Sequence, residues 1–375
     1  MHHPHIPAKR VVEQFLEGTG IVLNGPHPWD IQVHNEHLYP RIISEGSLGF
    51  GEAYMDGWWD CEQLDEMVAR LLKDDVRKKL KTNWPVIIDA FAVRIMNRQS
   101  RRRAFHIGEA HYDAGNDLYK AMLDKHLVYT CGYWKQAMNL DEAQEAKLDL
   151  VCRKIGLKPG DKLLDIGCGW GSFAKFAAEN YGAEIVGITV SKEQKALADE
   201  RCKGLPVEIR LQDYRDVHDS FDHIVSLGMV EHVGYKNYGT YLQMAHRCLK
   251  EGGFFLLHTI GSLHSAKTTD PWIAKYIFPN SMLPSLKQLM EAAEHLFVVE
   301  DVHNFAVDYD KTLIAWDKNF ESAWPNLKEH YGDRFFRMWR YYLLSCAGSF
   351  RCHKNQLWQI VFSKGGVPGG YESIR

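Results

Sequence analysis

The sequence predicts an α/β protein: a mostly parallel sheet covered by helices on both faces, preceded by a smaller, mainly helical region. Three observations lead there. From about residue 106 onward, short apolar strands alternate with helical segments, as in strands joined by crossover helices. One strand runs without a break into a glycine-rich loop, Leu163-Leu-Asp-Ile-Gly-Cys-Gly-Trp-Gly171, just ahead of a helix. Residues 1–97 lack the alternation and read as short helices with one or two brief strands.

The elements follow in order. Val11, Val12, Phe15 and Leu16 fit one face of a helix, and Ile21-Val-Leu and Ile31-Gln-Val read as brief strands. Gly46-Ser-Leu-Gly-Phe-Gly and Tyr54-Met-Asp-Gly-Trp-Trp form an aromatic, glycine-punctuated segment. Leu64, Met67, Val68, Leu71 and Leu72 return to helical spacing. Next come Arg77-Lys-Lys-Leu-Lys, the apolar stretch Trp84 to Met96, Arg98 and Arg101-Arg-Arg. That basic–apolar–basic order suits either attachment to an anionic membrane surface or a buried helix flanked by solvated charges. Residues 98–105 read as a basic linker. Strands are predicted at 162–166, 184–188, 206–211, 222–227, 253–259, 296–302 and 356–363, with helices including 172–180, 191–203 and 237–249. Lys158-Pro-Gly and Glu251-Gly-Gly punctuate the joins.

A net charge of −3 gives no global reason to expect a nucleic-acid partner. The eight cysteines form no CxxC pair, so they read as reduced thiols with neither a disulfide framework nor a metal site. The histidines of Met1-His-His-Pro-His read as a mobile terminus, and no signal peptide is expected, which points to the cytoplasm. No uninterrupted apolar run reaches the roughly 20 residues that span a bilayer. The chain is expected to lie on a membrane at most.

The glycine loop narrows the ligand. No Gly-Lys-Ser/Thr follows it, so it is not a P-loop. A dinucleotide site wants G-x-G-x-x-G and an acid ending the next strand, whereas here the spacing is G-x-G-x-G and that strand ends in Thr189. The order D-x-G-x-G-x-G resembles the first motif of class I S-adenosylmethionine-dependent methyltransferases. Phe221-Asp-His-Ile-Val-Ser-Leu-Gly-Met and Leu249-Lys-Glu-Gly-Gly-Phe-Phe-Leu-Leu-His resemble their fourth and fifth strands. The resemblance implies a Rossmann-like seven-stranded sheet.

Five further segments resemble the cyclopropane-fatty-acyl-phospholipid synthases and the related mycolic acid cyclopropane synthases. They are Tyr129-Thr-Cys-Gly-Tyr-Trp134, Thr189-Val-Ser-Lys-Glu-Gln194, Gly228-Met-Val-Glu-His-Val-Gly234, Leu257-His-Thr-Ile-Gly261 and Asn304-Phe-Ala-Val-Asp-Tyr-Asp310. Glu45-Gly-Ser-Leu-Gly and Tyr54-Met-Asp-Gly-Trp-Trp extend the likeness over nearly the whole chain. The resemblance implies transfer of a methylene group from S-adenosylmethionine to the cis double bond of acyl chains in membrane phospholipids. Methyl branching of the chain, or methylation of a small molecule, is the alternative outcome. It implies residues 1–97 as a lipid- and membrane-engaging domain and 106–375 as the catalytic domain. A homodimer is expected, held peripherally at the inner face of the cell membrane.

An unactivated alkene is a poor nucleophile, and methyl transfer to it leaves a carbocation. The pocket should therefore be dry and free of groups that trap cations. The resemblance implies bicarbonate as the base that then removes a proton, held by Cys131, Glu231, His258, the backbone of Ile260, and Tyr309. Like charge beside Glu231 should raise its pKa, and Glu231 should orient His258 or the bicarbonate proton. Cys346 is a further catalytic candidate, although a covalent role is awkward beside a sulfonium. For the cofactor the family pattern maps onto Tyr129, Thr130, Gly167, Gly169, Gly171, Thr189, Val190 and Gln194, with Asp213 or Tyr214 beside the adenine. The resemblance implies that Asp165 shapes the loop and meets the methionine amino group, directly or through water. Two positions depart from the family: Thr130 where serine is usual, and Gly132 where alanine is common.

Overall fold

The computed structural model describes residues 8–73 and 115–375. The basic–apolar–basic segment at 77–103, the linker at 98–105 and the first histidines lie outside the described residues. Among the described residues no helix is long and apolar enough to cross a membrane.

Helix α1 (Ala8–Leu16) buries Val12 and Leu16, two of the four positions marked by helical spacing. Ile31-Gln-Val supplies β1 (Gln32–Val33), antiparallel to β2 (Trp59–Asp60). Ile21-Val-Leu makes no strand beyond a single bridge from Leu23 to Ile31. Helix α2 (Leu38–Glu45) precedes the glycine-punctuated stretch, whose first part is helical as α3 (Ser47–Met55) and whose end turns into β2. Gly51 on α3 lets an aromatic ring approach the backbone: a Cβ there would stand 2.5 Å from Trp272 Cδ1. Helix α4 (Leu64–Lys73) buries Leu64, Met67 and Val68 as its spacing predicts.

After α5 (Asn116–Met122) and α6 (Leu140–Lys154) the alternation begins. Its strands are β3 (Lys162–Ile166), β4 (Glu184–Thr189), β5 (Val207–Leu211), β6 (Phe221–Leu227), β7 (Leu249–Ser262), β8 (Val298–Asn304) and β9 (Asn355–Ser363). Its helices are α7 (Ser172–Tyr181), α8 (Lys192–Arg201), α9 (Tyr238–Cys248), α10 (Pro271–Tyr276), α11 (Leu286–Ala293) and α12 (Val307–Arg351). One sheet holds β3 to β9 in the order β5-β4-β3-β6-β7-β9-β8. The first five in that order are parallel, and β9 runs antiparallel to both β7 and β8. Only β9 is reversed, so the sheet is mostly parallel, as expected.

Successive residues of β3 feed opposite layers, because side chains alternate across a strand. Leu164 and Ile166 join Val186, Ile188 and Ile224 on one face; Leu163 joins Ile185 and Val225 on the other. Strand β7 starts at Leu249 rather than 253, with a register shift opposite Phe221 and His223. Gly253 allows this, since a Cβ would lie 2.4 Å from the Asp222 carbonyl oxygen. Helix α12 is interrupted at Gly332 (φ 73, ψ 163) and carries Pro325. It packs on α4, α3 and α5, so that Val12, Trp59 and Met67 share one core with Trp316, Phe320 and Tyr341. Chain order reverses between β4 and β6 on either side of β3, and open α/β sheets bind ligands at the carboxyl ends there.

Candidate active site

The glycine loop leaves β3 at that point. Gly167 and Gly169 take φ values of 78° and 55°, a region costly to residues with a Cβ. The N–H groups of Gly167 and Cys168 both donate to the Ile188 carbonyl at 3.0 Å, tying the turn to β4. Gly171 does not line the site: it precedes α7 and packs on α8, where a Cβ would stand 3.0 Å from Cys202 Sγ.

A cavity of about 470 Å³ opens above the loop. Of the residues expected around the cofactor, it gathers Tyr129, Thr130, Asp165, Gly167, Gly169, Thr189, Val190, Gln194, Asp213 and Tyr214. Thr189 donates through its hydroxyl to Gln194 Oε1 at 2.8 Å, fixing the end of β4 to α8. Asp213 accepts from the Arg215 backbone and guanidinium, at 2.9 and 2.8 Å. Tyr214 is buried, and burial pushes its hydroxyl up to about 12.

The same cavity reaches Glu231, Ile260, Tyr309 and Cys346. Glu231 sits on a tight turn after β6, and its Oε1 accepts from the Ile260 N–H at 2.7 Å. Among the described residues its buried Oε2 meets no hydrogen-bond partner, and burial raises the carboxyl to about 7. The direction is the expected one, and burial by itself produces it. The backbone of Ile260 holds Glu231, and Glu231 makes no bond to His258.

Cys131 and His258 stand behind the cavity wall. The Cys131 thiol points to the Gly132 carbonyl at 3.1 Å, with Thr312 Oγ1 at 3.9 Å, and burial holds it protonated. His258 Nδ1 is 3.3 Å from the Gln359 amide nitrogen, while its Nε2 is buried without a partner. Burial keeps this imidazole neutral. Tyr309 stacks on Phe350 at 4.6 Å and meets Trp316 edge-on at 5.9 Å. Burial raises the Cys346 thiol to about 12, which removes it as a nucleophile near neutrality. Tyr342, Phe350, Leu313, Ile273 and Phe278 complete an apolar and aromatic wall.

Sequence reasoning missed Lys147. It lies on α6, is fully buried, lines the cavity and donates to Thr130 Oγ1 at 2.8 Å. Gln144, one turn earlier, donates to the Thr130 carbonyl at 2.7 Å. The signal was present: both fall on the apolar stripe of Leu140, Ala143 and Val151, where a solvated lysine has no place. Burial raises Asp165 to about 7, a rise opposed by Lys147, and lowers Lys147 to about 8.

Against known proteins, residues 99–360 match the family model of mycolic acid cyclopropane synthetase. The chain is 51% identical to the cyclopropane-fatty-acyl-phospholipid synthase of Escherichia coli strain K12 over 356 residues, 95% of this chain and 93% of that one. It resembles the mycolic acid cyclopropane synthase CmaA1, solved with S-adenosylhomocysteine (SAH) and CTAB. The TM-score is 0.65 and identity 32%, covering 69% of this chain and 98% of that one. Coclaurine N-methyltransferase, at 20% identity and a TM-score of 0.69 over 84% of this chain and 98% of that one, shows the fold alone.

Proposed function

This chain belongs to the mycolic acid cyclopropane synthetase family, with the fold of the S-adenosylmethionine-dependent methyltransferases, and on that premise we propose that it converts cis double bonds in the acyl chains of membrane phospholipids into cyclopropane rings. One observation carries the reading: a single cavity joins the glycine loop to Glu231 and Tyr309 and has an apolar and aromatic side built by Ile273, Phe278, Leu313, Tyr342 and Phe350. S-adenosylmethionine supplies an electrophilic methyl group, which must meet an alkene where water is excluded. The glycine loop fits it: a Cβ on Gly167 would lie 2.9 Å from Met229 Cγ, and Gly169 leaves open space.

The residues around the proposed reaction centre suit a cation. Tyr309, Tyr342 and Phe350 offer ring faces that stabilise positive charge without trapping it. The thiols of Cys131 and Cys346 are held protonated by burial and offer no thiolate. Ring closure requires loss of a proton from the transferred methyl group. Glu231, with its free Oε2 and a carboxyl near 7, is placed to hold or relay that proton.

Bicarbonate suits the donor set here: Glu231 and Tyr309 line the cavity and would hold it, while His258 and Cys131, behind the wall, would join only if the wall shifts. When bound it supplies a base. We further propose residues 1–97 as the lipid- and membrane-engaging domain, with the basic–apolar–basic segment at 77–103 as part of the lipid-facing surface. Replacing Arg101, Arg102 and Arg103 with glutamine should then lower activity on vesicles, and unchanged activity and vesicle binding would remove that assignment.

Mass spectrometry of dioleoyl phospholipid vesicles after incubation with S-adenosylmethionine tests the main reading. The expected product gains one CH2 per chain and loses the double bond. A retained double bond or a methyl-branched chain would overturn it.

A further inference from the structure

We propose that the Lys147 ammonium binds the α-carboxylate of the S-adenosylmethionine tail and holds Thr130 to the same task, with Asp165 taking the α-ammonium. The inference rests on S-adenosylmethionine being the co-substrate.

Lys147 is fully buried in the wall of the cavity, and among the described residues it makes no ion pair. Among the described residues its hydrogen-bond partner is the Thr130 hydroxyl, at 2.8 Å. An ammonium has three donors, so two remain for a ligand. A buried charge is costly unless paired. Holding one hydroxyl does not warrant it, especially as Gln144 already ties down the Thr130 carbonyl. Accepting from Lys147 also leaves the Thr130 O–H free to donate, so two donors converge on one place.

The opposite charge stands nearby. Asp165 lines the same cavity, and its Oδ2 is buried without a partner. Lys147 and Asp165 act on each other electrostatically, and among the described residues they form no ion pair. A ligand carrying both charges on one carbon, as an amino acid does, can satisfy both. The two groups would then read the amino acid end of the cofactor, as the pocket floor by Gln194 and Asp213 reads its nucleoside.

A ligand series separates this from a structural role. Calorimetry on the full chain would compare S-adenosylmethionine, SAH, decarboxylated S-adenosylmethionine and 5′-methylthioadenosine, in wild type, Lys147→Met and Lys147→Gln. Both variants should bind the first two about ten- to a hundredfold more weakly. Their affinity for the two ligands without a carboxylate should match wild type. Parallel losses across all four ligands, no loss for any, or failure of both variants to fold would overturn the proposal. A wild type that binds methylthioadenosine but not S-adenosylmethionine would remove the cofactor reading itself.

Discussion

Helix α6 carries two fully buried lysines seven residues apart, hence on one face, and they live in different surroundings. Lys154 has its counter-charge in the fold: Asp301 Oδ2 stands at 3.8 Å and His303 Nδ1 at 3.1 Å. Asp301 is in turn held by Arg375 and Ser373, while Tyr371 donates to the Lys154 carbonyl. Lys147 has a hydroxyl and a cavity. Burial lowers both ammonium groups, Lys154 to about 7 and Lys147 to about 8, so acidity does not tell them apart. What stands opposite does. A buried charge that serves the fold brings its partner along, and one that serves a ligand leaves the partner's place open.

The sharpest way to break this contrast is Asp301→Asn. It strands Lys154 and Arg375 together, and breaking a buried pair costs about 3–5 kcal/mol. The expected result is a large drop in the denaturation midpoint with unchanged S-adenosylmethionine affinity. An equal loss of affinity would mean that the two ends of α6 are not separate in function.

Lys147→Met should act with the opposite sign on the ligand-free enzyme. With a folded pKa of about 8 against 10.5, the unfolded chain binds more protons between those values, so this lysine's destabilisation is complete below 8 and fades toward 10.5. Removing it should stabilise the free protein by about 2 kcal/mol at neutral pH, after allowing for the lost Thr130 bond. The gain should vanish near pH 10.5. A variant less stable than wild type at pH 7 would place Lys147 with Lys154 among the structural charges.

Glu231 and Glu52 repeat the contrast among carboxylates. Glu52 on α3 is surrounded by Arg41, Lys275 and Tyr276, whose hydrogen bonds outweigh its burial and bring it down to about 2. Glu231 has no cation beside it among the described residues, and burial raises it to about 7 despite the Ile260 N–H. The folded state therefore keeps the Glu231 proton between 4.5 and 7 while the unfolded chain loses it, and stability falls across that window. Glu231→Gln should remove that fall, gaining about 2 kcal/mol above pH 7, while lowering turnover about a hundredfold. An unaltered pH profile of stability would show that Glu231 ionises without cost.

Legibility followed the range of the interaction. The loop at 163–171 could be read because alternate glycines before a helix are a local demand, met by positive φ at Gly167 and Gly169. The strands could be read because their apolar runs are short and punctuated. Lys147 could not, since a helical lysine reads as solvated until Thr130 and Asp165 close over it from residues distant in sequence. The full length of α12 was hidden by Pro325 and Gly332, which normally end a helix. Cys131 and His258 were read as touching the ligand, but their orientation depends on Thr312 and Gln359, which no spacing places.

The smallest effect expected lies at the rim of the Glu52 cluster. Lys275 donates to Glu52 Oε1 at 2.6 Å, but its side chain is 53% exposed, so solvent screens the pair. Lys275→Met should lower stability only slightly, because Arg41 and Tyr276 remain on the carboxylate. The Glu52 contribution is present above 4.5 and lost as pH falls through 2, so the variant should lose stability on acidification slightly earlier than wild type. Lys275 also lies on α10, whose Trp272 packs on Gly51 and whose Ile273 lines the cavity. If the partnered charges serve only the fold, Lys275→Met leaves S-adenosylmethionine affinity and turnover at wild-type values. A change in either, with stability intact, would mean that a fully partnered carboxylate also sets the shape of the cavity roof, and the division between the two kinds of buried charge would fail at Glu52.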